Sequence, residues 1–231
     1  MRGNHQGQGS IGPLTVFIIT APRKVHYLGN MLESLWSEFS DVTPHVFAEP
    51  DTPNFFGKRK CIMHNNPTTL GCPQNWFSAL SYAVETDWLM ICEDDIFFRP
   101  GSGDVIRNAI QSDITSVYSP YCSMVHGIPG KTGWQKSMYG LTGLCGALCF
   151  VMDQSIRNRI LSDKNKFDRL SEGKHLDYPI GEFIREDVYF HMPSLISHLG
   201  ETSTFPPPRL YDRATDIART VYDGKVEKIA E

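Results

Sequence analysis

Between Leu14 and Thr20 the chain reads LTVFIIT, an uncharged run rich in β-branched residues, followed by Leu28, Met31, Leu32, Leu35 and Phe39 at helical spacing. Such a run reads as a buried strand, and apolar residues three and four apart read as the inner face of a helix. TPHVFAEPD then supplies a second short strand that ends at Glu49 and Asp51. Strand, helix and strand in close succession require parallel neighbours, joined by a right-handed crossover. The order places the chain in the α/β class, with a mostly parallel central sheet flanked by helices.

The same alternation continues downstream. Thr52 to Pro73 is rich in Pro, Asn, Gly and basic residues and has no clear period, so it reads as a long loop. From Gln74 the spacing of Trp76, Leu80, Ala83 and Val84 predicts a helix ending near Thr86 and Asp87. WLMICEDDIFF, Trp88 to Phe98, follows as a buried strand carrying three consecutive acids, Glu93, Asp94 and Asp95. In open α/β sheets, ligands bind beyond the carboxyl ends of the strands, which is where these acids fall.

RPGSGD marks a turn before a short helix with Val105, Ile106, Ala109 and Ile110, and TSVYSPY reads as a strand. Gly127 to Gly140, with Trp134 and Tyr139, reads as a mobile loop, and GALCFVM as the next strand. A helix from Asp153 to Ser162 has Asp153 as its N-cap, a polar segment follows it, and HLDYPIGEFIRED reads as a further helix. YFHMPSLISHLG reads as extended. The expected organisation is a flexible stretch over 1–13, a single domain over 14–204, and a tail over 205–231 that begins near Pro206, Pro207 and Pro208.

Composition narrows the classes. With 231 residues, 41% apolar and 21% charged, the chain is long enough for a full core and too apolar for extended disorder. A net charge of −4 gives no long-range attraction to nucleic acid or anionic membrane, although Lys58, Arg59 and Lys60 form a local basic group. No run approaches the roughly 20 apolar residues that a membrane-spanning helix needs. The expected location is the cytoplasm. There, Cys61, Cys72, Cys92, Cys122, Cys145 and Cys149, which lack CxxC pairing, would be reduced and serve as small core residues.

Adjacent carboxylates at the end of a buried strand are costly unless they are solvated, hydrogen-bonded or neutralised by cations. One reading is a solvated turn. The other is a site for magnesium or manganese, which favour hard oxygen ligands. With the preceding strand–helix–strand, the EDD stretch is similar to the acidic DxD element of GT-A (nucleotide-diphospho-sugar transferase) glycosyltransferases. PSLISHLGETS, Pro193 to Ser203, resembles a PSL-x-x-H-x-G-x-x-S segment of the N-acetylglucosaminyltransferase IV family and its small soluble phage and bacterial relatives. The resemblance extends from about Val16 to Ser203.

The resemblance implies a metal-dependent transfer of a sugar, with inversion, from a nucleotide-diphosphate donor, UDP-linked by family habit, to an acceptor hydroxyl. Implied acceptors are a hydroxymethylated pyrimidine in phage DNA or a glycan or its lipid-linked precursor. The implied cofactor is Mn2+ or Mg2+, with Asp95 and His198 as its ligands and Glu93 or Asp94 facing the ribose or the surroundings of the metal. Thr20, Ala21 and Arg23 would hold the nucleotide, Arg23 by pairing with the diphosphate. Arg23 as a solvent-exposed loop arginine is the other reading. Glu49 and Asp51 would receive the base or ribose, and Gly71 and Asn75 would adjoin the donor. Trp76 reads as core.

An inverting transfer needs a base for the acceptor proton. Asp177 is the candidate; its position also fits a helix N-cap, and Glu182, Glu186 and Asp187 are alternatives. Trp134 and Tyr139 would stack on a sugar or a base of the acceptor; local packing is the other reading. Two other classes fit some of these features: a non-catalytic nucleotide- or carbohydrate-binding module, and a metallo-hydrolase. The glycine-rich phosphate loop with a following lysine, usual in nucleotidyltransferases of this fold, is absent from TAPRKV.

Overall fold

The structure is a computed structural model, and it describes residues 13–23, 25–53, 59–112, 114–122, 131–136, 147–172, 176–184 and 188–199. The expected strand–helix–strand is present as β1 (Leu14–Thr20), α1 (Leu28–Glu38) and β2 (His45–Ala48). Next come β3 (Ile62–Asn65), α2 (Cys72–Ser81), β4 (Trp88–Glu93), β5 (Ile96–Phe98), α3 (Ser102–Ser112), β6 (Val117–Ser119) and β7 (Gly133–Lys136). The described part closes with β8 (Cys149–Asp153), α4 (Gln154–Leu161), α5 (Lys164–Ser171), α6 (Asp177–Ile184), β9 (Val188–Met192) and β10 (Ile196–His198).

Eight strands form the main sheet in the order β3-β2-β1-β4-β8-β6-β9-β7. From β3 to β4 every neighbour is parallel; β8 runs antiparallel to β4 and to β6, β9 is parallel to β6, and β7 is antiparallel to β9. The sheet is therefore mostly parallel in direction, as expected, with β8 and β7 reversed. Its central strands are buried on both faces, which is why their sequences read as continuous apolar runs without alternation. On one face Val16, Ile18 and Met90 pack with Leu32 and Leu35 of α1 and Ile106 of α3; on the other Phe17, Ile19 and Ile91 pack with Trp76 of α2, Ile156 of α4 and Phe167 of α5.

Several elements differ from expectation. The loop between Thr52 and Pro73 contains β3, an edge strand whose residues are exposed or half-buried and so carry little apolar signal. It exists because β2 pairs with it over His45 to Ala48. The helix expected from Gln74 begins at Cys72, with Gly71 at its N-cap and Pro73 in its first turn, and ends at Ser81, before Ala83 and Val84.

Within the stretch Gly127 to Gly140, residues 133–136 form the edge strand β7, and Tyr139 lies outside the described residues. The polar segment after Ser162 is helix α5, opened by Asp163, whose carboxylate accepts from the Lys166 N–H at 2.9 Å and whose single fully buried apolar anchor is Phe167. Asp153 caps α4 as expected, accepting from Ile156 N–H at 3.0 Å. Residues 1–12 of the stretch expected as flexible, and the whole tail expected over 205–231, also fall outside the described residues.

The chain does not continue straight through the acids. Asp94 and Asp95 make a turn, and Ile96–Phe98 leaves the main sheet to pair antiparallel with Ile196–His198. This second, two-stranded sheet fixes the site.

Candidate active site

The carboxyl ends of β1, β2 and β4 are tied together before any functional side chain is considered. The Glu49 N–H donates to Thr20 O at 3.0 Å, and Asn75 Nδ2 donates to Phe47 O at 3.2 Å and to Thr20 O at 3.5 Å. Asn75 is buried on α2, and its own oxygen accepts from Asn66 Nδ2 at 2.9 Å. Glu49 is also buried, and its two carboxylate oxygens each accept a backbone N–H, from Leu70 and Gly71, both at 2.9 Å. These residues shape the entrance to α2. Gly71 has a φ of 79°, which an L side chain adopts only under strain. Asp51 shares that left-handed region, with a φ of 63°, in an exposed turn after β2.

The acidic triplet divides by environment. Glu93 closes β4, and its N–H donates to Leu148 O at 2.9 Å. Asp94 and Asp95 are buried. Thr20 Oγ1 donates to Asp94 Oδ2 at 2.5 Å, and Arg23, also largely buried, reaches across from the loop after β1. Its Nη2 stands 3.0 Å from Asp94 Oδ1, and its Nη1 donates to Asp95 Oδ2. The exposed-loop reading of Arg23 is therefore corrected: it is the counter-ion of the two aspartates. A loop arginine turns inward here because two buried carboxylates without a cation would be far costlier than its own desolvation.

His198 completes the cluster from 103 positions away in sequence. In the two-stranded sheet His198 stands opposite Ile96, and the Leu199 N–H donates to Asp95 O at 2.6 Å. This register brings His198 Nε2 to 3.1 Å from Asp95 Oδ2. Asp95 Oδ1 is buried and accepts no hydrogen bond among the described residues.

Ionisation follows the geometry. Burial pushes Asp94 up to about 6, against the opposing pull of Arg23. Burial, then the negative charge of Asp95, holds the Glu93 carboxyl well above its ordinary range; Asp177 adds to the same effect. Burial works in that direction on Asp95 too, but its hydrogen bond with His198, that residue's charge and then Arg23 outweigh it and hold this carboxyl low. Burial also opposes the charge on Arg23, and Asp95 and Asp94 outweigh it.

Asp177 is the first residue of α6, and its Oδ1 accepts from the Ala147 N–H at 2.8 Å. Its charge adds to the effects that raise Glu93 and Cys72. Cys72, at the start of α2, was not singled out from sequence as a site residue. Burial and the Glu93 charge raise its thiol well above the usual value. The signal that could have found it is its place directly after Gly71, at a helix start aimed at the sheet's ligand end.

Of the remaining expected residues, Ala21 follows Thr20 at the site, half-buried. Trp134 belongs to β7, where its ring meets Tyr118 and His191 edge-on at 4.9 and 5.0 Å between centroids. It is packed against the core margin, not carried on a loop. Trp76 is core, as expected. Glu182 is half-buried on α6, while Glu186 and Asp187 lie outside the described residues.

Among the described residues no group of three or more His, Cys, Asp and Glu side chains is arranged to hold a metal ion. A two-residue set remains, Asp95 and His198. Ligand atoms about 2.1 Å from one ion and at right angles to each other stand about 3 Å apart, close to the Asp95–His198 separation. A hard divalent ion commonly uses one or two protein groups and completes its shell with water and substrate oxygens, so the pair and the unpartnered Asp95 Oδ1 fit such an ion.

No sequence-family profile and no curated protein matches this chain. Solved structures do. The fragment 1–349 of S. aureus TarS superposes with a TM-score of 0.53 at 14% identity, covering 78% of this chain and 60% of that one. The same fragment in complex with UDP gives 0.52 at 15%, over 77% and 59%. The galactosyltransferase LgtC, in complex with donor and acceptor sugar analogues, gives 0.55 at 12%, over 89% of this chain and 95% of that one. The chain thus spans about three fifths of the TarS fragment and nearly all of LgtC. At these identities the likeness is one of fold, and the fold is GT-A.

Proposed function

We propose that this GT-A chain is a glycosyltransferase that moves a sugar from a nucleotide-diphosphate donor, UDP-linked, to an acceptor hydroxyl with inversion, assisted by Mn2+ or Mg2+. One observation carries the reading: Asp95 and His198, 103 positions apart, meet at 3.1 Å at the carboxyl end of β4, with Arg23, Glu93 and Asp94 around them. A simple solvated turn gives no reason to bury this arrangement. The UDP bound by TarS and the donor and acceptor analogues bound by LgtC belong to those proteins, and they support the same donor chemistry here.

Bond cleavage leaves negative charge on the nucleoside diphosphate, and a divalent ion held by Asp95 and His198 would stabilise that charge. Thr20 keeps Asp94 oriented through its hydroxyl. Arg23 carries a cation to the same place and can donate to phosphate oxygens. Glu49 and Asn75 hold the ends of β1 and β2 and the start of α2 in register, so the donor meets a preformed surface. Asp177 accepts the proton of the attacking hydroxyl.

The acceptor class that fits is a glycan. The net charge of −4 is unfavourable to the phosphate backbone of DNA.

The test is release of nucleotide from a panel of nucleotide sugars, with Mn2+ or with EDTA, first alone and then with glycan or hydroxymethylated DNA. Turnover of a UDP-sugar that requires Mn2+ and is lost in Asp95→Ala is expected. Nucleotide binding with no turnover of any donor would favour a binding module. Sugar appearing in modified DNA and in no glycan would replace the acceptor class and leave the donor chemistry standing.

A further inference from the structure

Asp95 Oδ2 has two partners in this structure. His198 Nε2 stands 3.1 Å away, and Arg23 Nη1 donates to the same oxygen. If His198 and Asp95 are the protein's ligands for a divalent ion, the ion and the Arg23 guanidinium claim one atom. Both are cations, and both would lie in a pocket where Asp94 and Asp95 are nearly fully buried.

We infer that Arg23 is a tethered counter-ion that fills the divalent-cation site in the absence of donor, so that metal binding requires Arg23 to leave Asp95. The inference rests on the reading of Asp95 and His198 as metal ligands. The geometry supports it beyond the shared oxygen. Arg23 engages both aspartates with its two terminal nitrogens, while its Nε is buried with no acceptor among the described residues. The side chain is thus satisfied as a cation, with one donor, Nε, left without an acceptor among the described residues. A diphosphate is the chemical class that resolves this, since it supplies several acceptor oxygens and negative charge to a displaced guanidinium. Donor and metal would then arrive together: the phosphates draw Arg23 away, and the ion takes the place it vacates.

The arrangement has a thermodynamic consequence. A ligand that binds only one of two conformations has its apparent affinity reduced by the fraction of that conformation. If Arg23 is withdrawn from Asp95 in about one molecule in ten or fewer, Mn2+ binding without nucleotide is weakened about tenfold or more. Removing the guanidinium charge removes that penalty.

The test is Mn2+ affinity of the nucleotide-free protein, measured by electron paramagnetic resonance of free Mn2+, for wild type, Arg23→Gln, Arg23→Lys and Asp95→Ala. Arg23→Gln is expected to bind Mn2+ about tenfold or more tightly than wild type, Arg23→Lys to fall between them, and Asp95→Ala to lose the site. Equal affinity in wild type and Arg23→Gln would overturn the inference and leave the metal reading intact. Mn2+ binding by no form, or binding unaffected in Asp95→Ala, would overturn the metal reading and the inference with it.

Loss of the charge opposite two buried aspartates could unfold Arg23→Gln, so a wild-type measurement stands beside it. In arginine side-chain 15N–1H spectra, saturation with Mg2+ is expected to shift the Arg23 Nε–H signal and speed its exchange with water. A signal that stays unchanged while Mg2+ saturates the protein would show that the guanidinium is not displaced, and would overturn the inference.

Discussion

Asp177 is the residue on which the proposed chemistry can be separated from the fold. Its Oδ1 accepts the Ala147 N–H at 2.8 Å, and an asparagine side chain keeps an oxygen for that bond while losing the capacity to take a proton. In Asp177→Asn, kcat is therefore expected to fall by about 10²- to 10⁴-fold, with donor KM and thermal stability little changed. A variant that loses stability and activity together would make Asp177 a structural cap. Activity near wild type would pass the role of base to Glu182, Glu186 or Asp187. Asp177 begins α6, and its charge reaches Glu93.

The helices around the site are held by a few buried contacts, and two of them make sharp tests. Gly103, in the first turn of α3, packs so closely on the end of α1 that an added Cβ would lie 2.4 Å from Glu38 O. The Glu38 carboxylate also accepts the Gly103 N–H at 3.0 Å and thereby caps α3. Gly103→Ala must move one helix, and is expected to cost on the order of 1–3 kcal/mol in urea unfolding. Arg157, buried on α4, donates to the carbonyls of Leu80, Tyr82 and Val84, satisfying the C-terminal end of α2. Arg157→Met keeps much of the packing and leaves those acceptors without their charged donor, so a loss of about 2–3 kcal/mol is expected. Neither residue touches the acids, so activity per folded molecule should persist.

These same elements explain what the sequence could and could not disclose. β1, β2, β4 and α1 were legible because strands buried on both faces and a helix with one apolar side leave strong patterns. β3 was not, because an edge strand with half-exposed residues owes its existence to the neighbour that pairs with it. α5 was hidden by its charges, with Phe167 its only fully buried apolar side chain. The turn at Asp94 and Asp95 was concealed because Ile96–Phe98 looks like more of β4. At the site, the resemblance pairs Asp95 with His198, and the two stand 3.1 Å apart. The inward turn of Arg23 and the backbone contacts of Glu49 were not legible, since spacing does not say which way a loop side chain points or which N–H groups a carboxylate will meet.

Across the whole molecule, stability against pH is a contest between two sets of groups. At the β3 edge, His45 Nδ1 and His64 Nε2 lie 3.0 Å apart, and one imidazole must be neutral for that bond to form. Burial lowers both below 6.5, and for His45 the charge of His64 adds to it; burial lowers His191 as well. For these groups the unfolded chain binds more protons below its value of 6.5, so their contribution is intact above that pH and is lost as the pH falls through the folded values. Asp94 acts in reverse. Raised from 3.8 to about 6, it contributes stability that is fully present below 3.8 and lost as the pH rises through about 6. The wild-type melting temperature should therefore decline only gently from about pH 7.5 to 5.5, histidine loss being partly offset by carboxyl gain. His64→Phe keeps a ring against Phe47 and Tyr82 but removes a titrating partner. Its melting temperature should decline less than that of wild type over the same range, or rise. Calorimetric scans of the two proteins decide the matter: parallel declines would mean that the imidazole pair does not govern the acid limb.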